Sequence, residues 1–188
     1  MSNINIDKIE KAVEAILDAV GEDKNREGLK ETPRRVAEAY KEILDGHNEE
    51  VKLKEFQIEN FDELVIIRDI NFFSLCEHHM LPFYGKVSIA YLPKDNKVVG
   101  VSKFARVVDM FSKRLQIQER MTSQIADYIC DNIEVKGVVV ISTGQHTCMI
   151  MRGVKKEGTE MVCSALRGIF REKPELRMEA LKLMGVER

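Results

Sequence analysis

In the run Phe73-Ser-Leu-Cys76-Glu77-His78-His79-Met80-Leu-Pro82-Phe-Tyr-Gly85, a thiol, a carboxylate and two imidazoles fall on consecutive positions. The whole chain has only four histidines and four cysteines, yet another close pair, His146-Thr-Cys148, follows much further along. Cys76, His79 and Cys148 are therefore candidate metal ligands. Zinc accepts thiolate and imidazole readily, and a site with three protein ligands keeps a fourth position open for water, whereas a structural site is usually closed by four. A closed structural zinc is the competing reading. The paired Cys-x-x-Cys knuckles that usually build one are absent, and the further imidazoles His78 and His146 stand directly beside the proposed ligands. Cys130, Cys163 and His47 read as ordinary residues.

These groups must be held by strands. Leu64-Val-Ile-Ile starts a strand leading into the first cluster. Beyond Gly85, Val87, Ile89 and Tyr91 alternate with Lys86, Ser88 and Ala90, the pattern of a half-buried strand. Pro93-Lys-Asp-Asn96 is turn chemistry, and Lys97-Val-Val-Gly100 is expected to return as a hairpin. Val135 to Ile141 reads as a strand and His146 to Arg152 as the next. Alternation would then put His146, Cys148, Ile150 and Arg152 on one face, an imidazole, a thiolate and a guanidinium looking into one site. Lys155 and Lys156 follow in a loop. Helices are expected from about Val162 to Phe170 and from Pro174 to Met184.

Helical spacing of Ile9, Val13, Ile16, Leu17 and Val20 up to Gly21 predicts a first amphipathic helix. Thr32-Pro33 offers a cap and a first-turn proline for a second, with Val36, Tyr40, Ile43 and Leu44 inward and Gly46 as its stop. These elements form an N-terminal helical arm over residues 1–46; an irregular connection over 47–63 leads into the main domain, 47–188. Ser102 is a candidate cap for a helix with Phe104, Val107, Val108, Phe111 and Leu115 inward. Lys103 and Arg106 lie one turn apart at its start, which is either a phosphate seat or a solvated basic face. Gln118-Glu119-Arg120 opens another helix, carried by Met121, Ile125 and Ile129, as a cap or as a binding edge.

With 188 residues, 44% of them hydrophobic, the chain can bury a real core. Its 32% charged residues nearly cancel to a net charge of -2, which argues against nucleic-acid binding through a basic surface. No apolar run approaches a membrane span, and Met1 to Asp7 lacks the basic and apolar regions of a leader. The expected setting is the cytoplasm, with thiols kept reduced.

Several ordered blocks resemble the GTP cyclohydrolase I family from about residue 8 to residue 184: Gly21-Glu-Asp with Arg26-Glu-Gly28-Leu, Thr32-Pro-Arg-Arg35-Val, Cys76-Glu-His-His79, Gly100-Val-Ser102-Lys103 with Arg106, Gln118-Glu119-Arg120, His146-Thr-Cys148-Met and Arg152-Gly153-Val. The resemblance implies an α+β tunnelling fold, an antiparallel sheet backed by helices, in a homodecamer of two pentamers with sites at subunit interfaces. It implies Zn2+ on Cys76, His79 and Cys148, with a water that attacks C8 of GTP, and His78 and His146 as proton-moving histidines. By the same likeness Ser102 helps the later ribose rearrangement to 7,8-dihydroneopterin triphosphate after formate leaves. Glu119, with Gln118 beside it, would bind guanine, while Lys103, Arg106, Arg152 and Arg35 would bind the triphosphate. Two stretches depart from the family pattern. Thr143-Gly144 stands where an acidic residue and an alanine are usual, and Met161-Val162-Cys163 replaces a Thr-x-Thr element.

Overall fold

The computed structural model describes residues 4–48 and 50–185; Met1 to Asn3, part of the stretch examined for a leader, lie outside them. Helix α1 (Ile6–Ala19) is capped by the Asn5 side chain, which accepts from the Lys8 amide at 2.9 Å. It packs against α2 (Thr32–Ile43). Thr32 proves to be inside α2 rather than its cap, which is Glu31 without a side-chain bond. A 3-10 turn at Asp45–His47 then seats the helical pair on the body. Gly46 donates to Lys113 O and accepts from Arg114 Nη2, each at 3.0 Å. A Cβ at Gly46 would meet Met110 O at 2.6 Å, so this close backbone approach requires glycine.

The body continues as β1 (Glu55–Gln57), β2 (Val65–Cys76), β3 (Pro82–Pro93), β4 (Lys97–Val99), α3 (Ser102–Ser112), β5 (Leu115–Gln116) and α4 (Gln118–Asn132). It ends with β6 (Val135–His146), α5 (Thr147–Ile150), β7 (Met161–Gly168), α6 (Ile169–Glu172) and α7 (Pro174–Leu183). The main sheet has the order β5-β2-β3-β6-β7 and is antiparallel except where β2 meets β5. On one face Val87, Ile89 and Tyr91 meet Phe104 and Val107 of α3 and Ile125 of α4 in a single apolar cluster. On the other, Ala90, Leu92, Val139 and Ile141 lie under Phe170 and Ala180. Each fully buried valine or isoleucine contributes roughly 1.5–3 kcal/mol. The expected α+β class and helix-backed antiparallel sheet are present. The half-buried reading of β3 holds from Phe83 to Ile89, where Tyr84 and Lys86 stay exposed, and fails beyond it, because α6 and α7 cover the second face there and Ala90 is as buried as Tyr91.

Other local expectations are overturned by tertiary partners. Lys97–Val99 does not return on β3, whose two edges are already taken by β2 and β6; it pairs with β1 in a separate small sheet. Tyr91 still reaches it, its hydroxyl accepting from the Val99 amide at 3.3 Å. The segment expected as a helix from Val162 is instead β7, paired antiparallel with β6 from Gly144↔Met161 to Gly137↔Gly168. The expected strand from His146 to Arg152 ends at His146, where Thr147 turns the chain into α5 and its hydroxyl donates to Pro82 O at 2.5 Å. Leu115 leaves the α3 face and is exposed in β5. Ser102 is the first residue of α3 after Val101, with no capping bond.

Candidate active site

The end of β2 folds into a tight loop. Cys76 N donates to Leu81 O at 2.9 Å, and the Met80 and His79 amides donate back to Cys76 O at 2.7 and 3.3 Å. Met80 closes the loop in the left-handed region, φ 54°, at a cost on the order of 1 kcal/mol. The loop turns Cys76 and His79 the same way, placing Sγ 3.7 Å from Nδ1. Glu77 points aside and pairs with Arg120, while its amide donates to Gln116 O at 3.0 Å. Arg120 also donates from Nε to Gln116 Oε1 at 3.0 Å, so it ties the loop to the start of α4.

Strand β6 supplies the second half. Register pairs Phe83 with His146, and their rings stack with centroids 4.6 Å apart. The α5 turn then brings Cys148 inward, so that ligand atoms of Cys76, His79 and Cys148 lie within 4.8 Å of one another. That spacing and donor set fit a cation bound at roughly 2.0–2.3 Å by thiolate and imidazole. Burial, then the neighbouring Cys76 thiol, pushes the Cys148 thiol above its ordinary value. A cation between the thiols would reverse that effect by favouring the thiolates.

A cleft of about 240 Å³ joins these ligands with His78, Gln118, Glu119 and His146. Burial lowers the His146 imidazole below its usual value, with the Glu119 charge opposing, which favours the neutral ring. Arg152, expected on a strand face, follows α5 and is exposed; its Nη1 lies 2.8 Å from His79 Nε2. Gln118 is fully buried. Its Nε2 donates to Met161 O at 2.9 Å, to Ser142 Oγ at 3.0 Å and to Ser142 O at 3.1 Å, and its Oε1 faces His146 Nε2 at 2.8 Å. The side chain expected beside guanine is thus committed to the protein.

Lys103 and Arg106 are not brought to this cleft. They line another, of about 370 Å³, with Glu50, Val51, Lys52 and Asp109. Ser102 and Arg35 are exposed on α3 and α2 and do not line the metal-ligand cleft. Sequence reasoning missed Ser142 and Thr122, which hold Gln118 from behind. Their signal was a hydroxyl at the end of the apolar run Val138 to Ile141 and another one helical turn beyond Gln118. Both departures from the family pattern also touch Gln118. A Cβ on Gly144 would meet its Oε1 at 2.7 Å, and Met161 supplies one of its acceptors.

The family described as GTP cyclohydrolase I matches residues 9–185. The GTP cyclohydrolase 1 of Carboxydothermus hydrogenoformans is 50% identical over 184 residues, covering 97% of this chain and 96% of that protein. That of Bacillus subtilis is 49% identical over 185 residues, covering 97% of each. That of Pelotomaculum thermopropionicum is 52% identical over 179 residues, covering 94% and 95%. Among solved structures, the apo archaeosine synthase QueF-Like aligns with a TM-score of 0.46 and 19% identity, over 58% of this chain and 97% of that one.

Proposed function

The chain belongs to the GTP cyclohydrolase I family, and from that premise we propose that it converts GTP and water to 7,8-dihydroneopterin triphosphate and formate, an opening step of tetrahydrofolate and pterin synthesis. The observation that carries this reading is the convergence of Cys76, His79 and Cys148 with His78, Glu119 and His146 in one cleft. Zinc is the metal that suits two thiols and an imidazole, and when bound there it supplies Lewis acidity that brings the pKa of a water towards neutrality.

The protein's own groups do the rest. Glu119 is exposed at the cleft and can accept from N1–H and the 2-amino group of guanine, an edge that adenine lacks. His78 and His146 take up and return protons at the ring nitrogens and at the opened formamide, a task suited to imidazole. Arg152 stands beside His79 and meets the triphosphate. Lys103, Arg106 and Arg35 complete its charge balance, and Ser102 assists the ribose rearrangement.

Because Lys103, Arg106, Ser102 and Arg35 do not line the cleft of their own chain, neighbouring copies supply them in this reading. The assembly is a homodecamer of two pentamers with sites between subunits. No helix among the described residues is long and apolar enough to cross a membrane. We place the enzyme in the cytoplasm, with neither nucleic acid nor membrane as a partner.

The test is to incubate metal-analysed protein with GTP, with and without a chelator, following formate and the near-UV absorbance of a dihydropterin. Both products should appear together and vanish on chelation. Formate without pterin would confine the activity to ring opening and locate the defect in the later rearrangement. No product from zinc-loaded protein would overturn the proposal.

A further inference from the structure

The Gln118 amide can be oriented from its surroundings. Two of the groups around its nitrogen, Ser142 O and Met161 O, are carbonyl oxygens, which only accept hydrogen bonds. The nitrogen must therefore face them, so Oε1 is the atom 2.8 Å from His146 Nε2. An acceptor at that distance requires a proton on Nε2. The hydroxyls behind agree. Thr122 Oγ1 donates to Gln118 O at 2.7 Å, so in its 2.6 Å contact with Ser142 Oγ the serine is the donor. Ser142 Oγ is left to accept from Gln118 Nε2, and the two amide hydrogens serve three acceptors with the Ser142 pair sharing one. Gln118, Ser142 and Thr122 are 0%, 0% and 1% exposed, surroundings in which a broken polar chain is costly.

We propose that Gln118 is a positioning residue that fixes the tautomer of His146, with the proton on Nε2 and the lone pair on Nδ1. Nδ1 makes no hydrogen bond among the described residues, and it is the atom that exchanges protons with the substrate in the cleft. The Phe83 ring, 4° from parallel, holds the plane of the imidazole. Gln118 Oε1 accepts from the Nε2–H of the neutral ring and, more strongly, from that of the imidazolium formed when Nδ1 takes a proton. Nothing behind the ring need therefore rearrange as the proton moves from substrate to Nδ1 and back, which is preorganisation for proton transfer.

This assignment rests on the cyclohydrolase reading, so wild-type zinc-loaded protein is assayed first; absence of formate there defeats that reading and is distinct from any result on Gln118. With turnover established, Gln118→Met should lower kcat about 10- to 100-fold, the usual scale for removing a group that orients a site residue. KM for GTP should stay within about threefold, with zinc content unchanged. Ser142→Ala should lower kcat in the same sense by a smaller factor, and it carries the test if Gln118→Met does not fold. Spectra of the zinc-loaded protein labelled with 15N-histidine, with His146→Ala identifying the resonances, should show a protonated Nε2 and a bare Nδ1. A proton on Nδ1 in the wild type, or a rise in KM with kcat intact in either variant, would overturn the proposal.

Discussion

Phe83 and His146 face each other across β3 and β6, their ring centroids 4.6 Å apart and their planes 4° from parallel. One ring is entirely buried in the core and the other lines the cleft, so the core sets the attitude of the imidazole proposed to move protons. Phe83→Leu keeps an apolar side chain of similar bulk but removes the flat surface. Aromatic stacking is worth about 1 kcal/mol beyond burial, so kcat should fall about fivefold while zinc is retained, as steady-state rates and metal analysis would show. An unchanged kcat would mean that β6 alone holds the imidazole.

Two neighbouring substitutions should separate metal binding from proton transfer. Cys148→Ser replaces a thiol with a hydroxyl that stays protonated at neutral pH, so zinc and activity should be lost together. His146→Ala should keep zinc and lose turnover by about 10²- to 10⁴-fold. Metal content and formate release measured on the same preparations check both. Full zinc in Cys148→Ser would remove that residue from the ligand set, and wild-type rates in His146→Ala would remove the imidazole from the mechanism.

Arg152 is exposed and contacts His79, a residue that lines the cleft. If it meets the triphosphate, Arg152→Ala should weaken GTP binding about 10- to 100-fold, the scale of a lost charge-assisted hydrogen bond, and barely alter guanosine binding. Competition of the two ligands in the formate assay distinguishes these outcomes. Equal losses for both ligands would exclude a phosphate role.

Arg167 joins the edge strand β7 to α4, donating from Nε to Asp127 Oδ1 at 2.5 Å and from Nη2 to Ser123 Oγ at 2.7 Å. The Arg167 hydrogen bond holds the Asp127 carboxyl below its ordinary value of 3.8. The stabilisation is therefore present above that value and is lost as pH falls through the lower, folded-state pKa. Thermal melts as a function of pH should show a shallower acid limb for Asp127→Asn than for the wild type. Because Asp127 is half exposed, the difference should shrink in high salt; parallel acid limbs would remove the pair from the stability of β7.

The candidate metal ligands were legible because thiol and imidazole carry their chemistry in the residue type, and the spacing from Cys76 to His79 fits within one loop. β7 was not. Val162, Ala165, Leu166 and Ile169 fall at helical spacing, and only the free edge of β6 decides that they pair as a strand. The α5 turn was hidden because four residues show no period, and its direction is set by Thr147 bonding back to Pro82. Gln118 and Glu119 are adjacent in sequence, but one is buried and the other exposed. What separates them is Ser142 and Met161, contributed by distant strands.

The three candidate metal ligands leave the sheet from different strands, which bears on when in folding they can come together. Cys76 and His79 share one loop at the end of β2, whereas Cys148 follows β6, and β3 lies between these strands as the partner of both. Neither segment alone holds Cys76, His79 and Cys148 together; the third of them joins the other two once β3 has been flanked on both sides, after a long loop has closed. If these three residues hold an ion, its tight capture should be a late step coupled to sheet closure. Stoichiometric metal uptake by a freshly refolded chain would therefore serve as a clock for the pairing of β3 with β6.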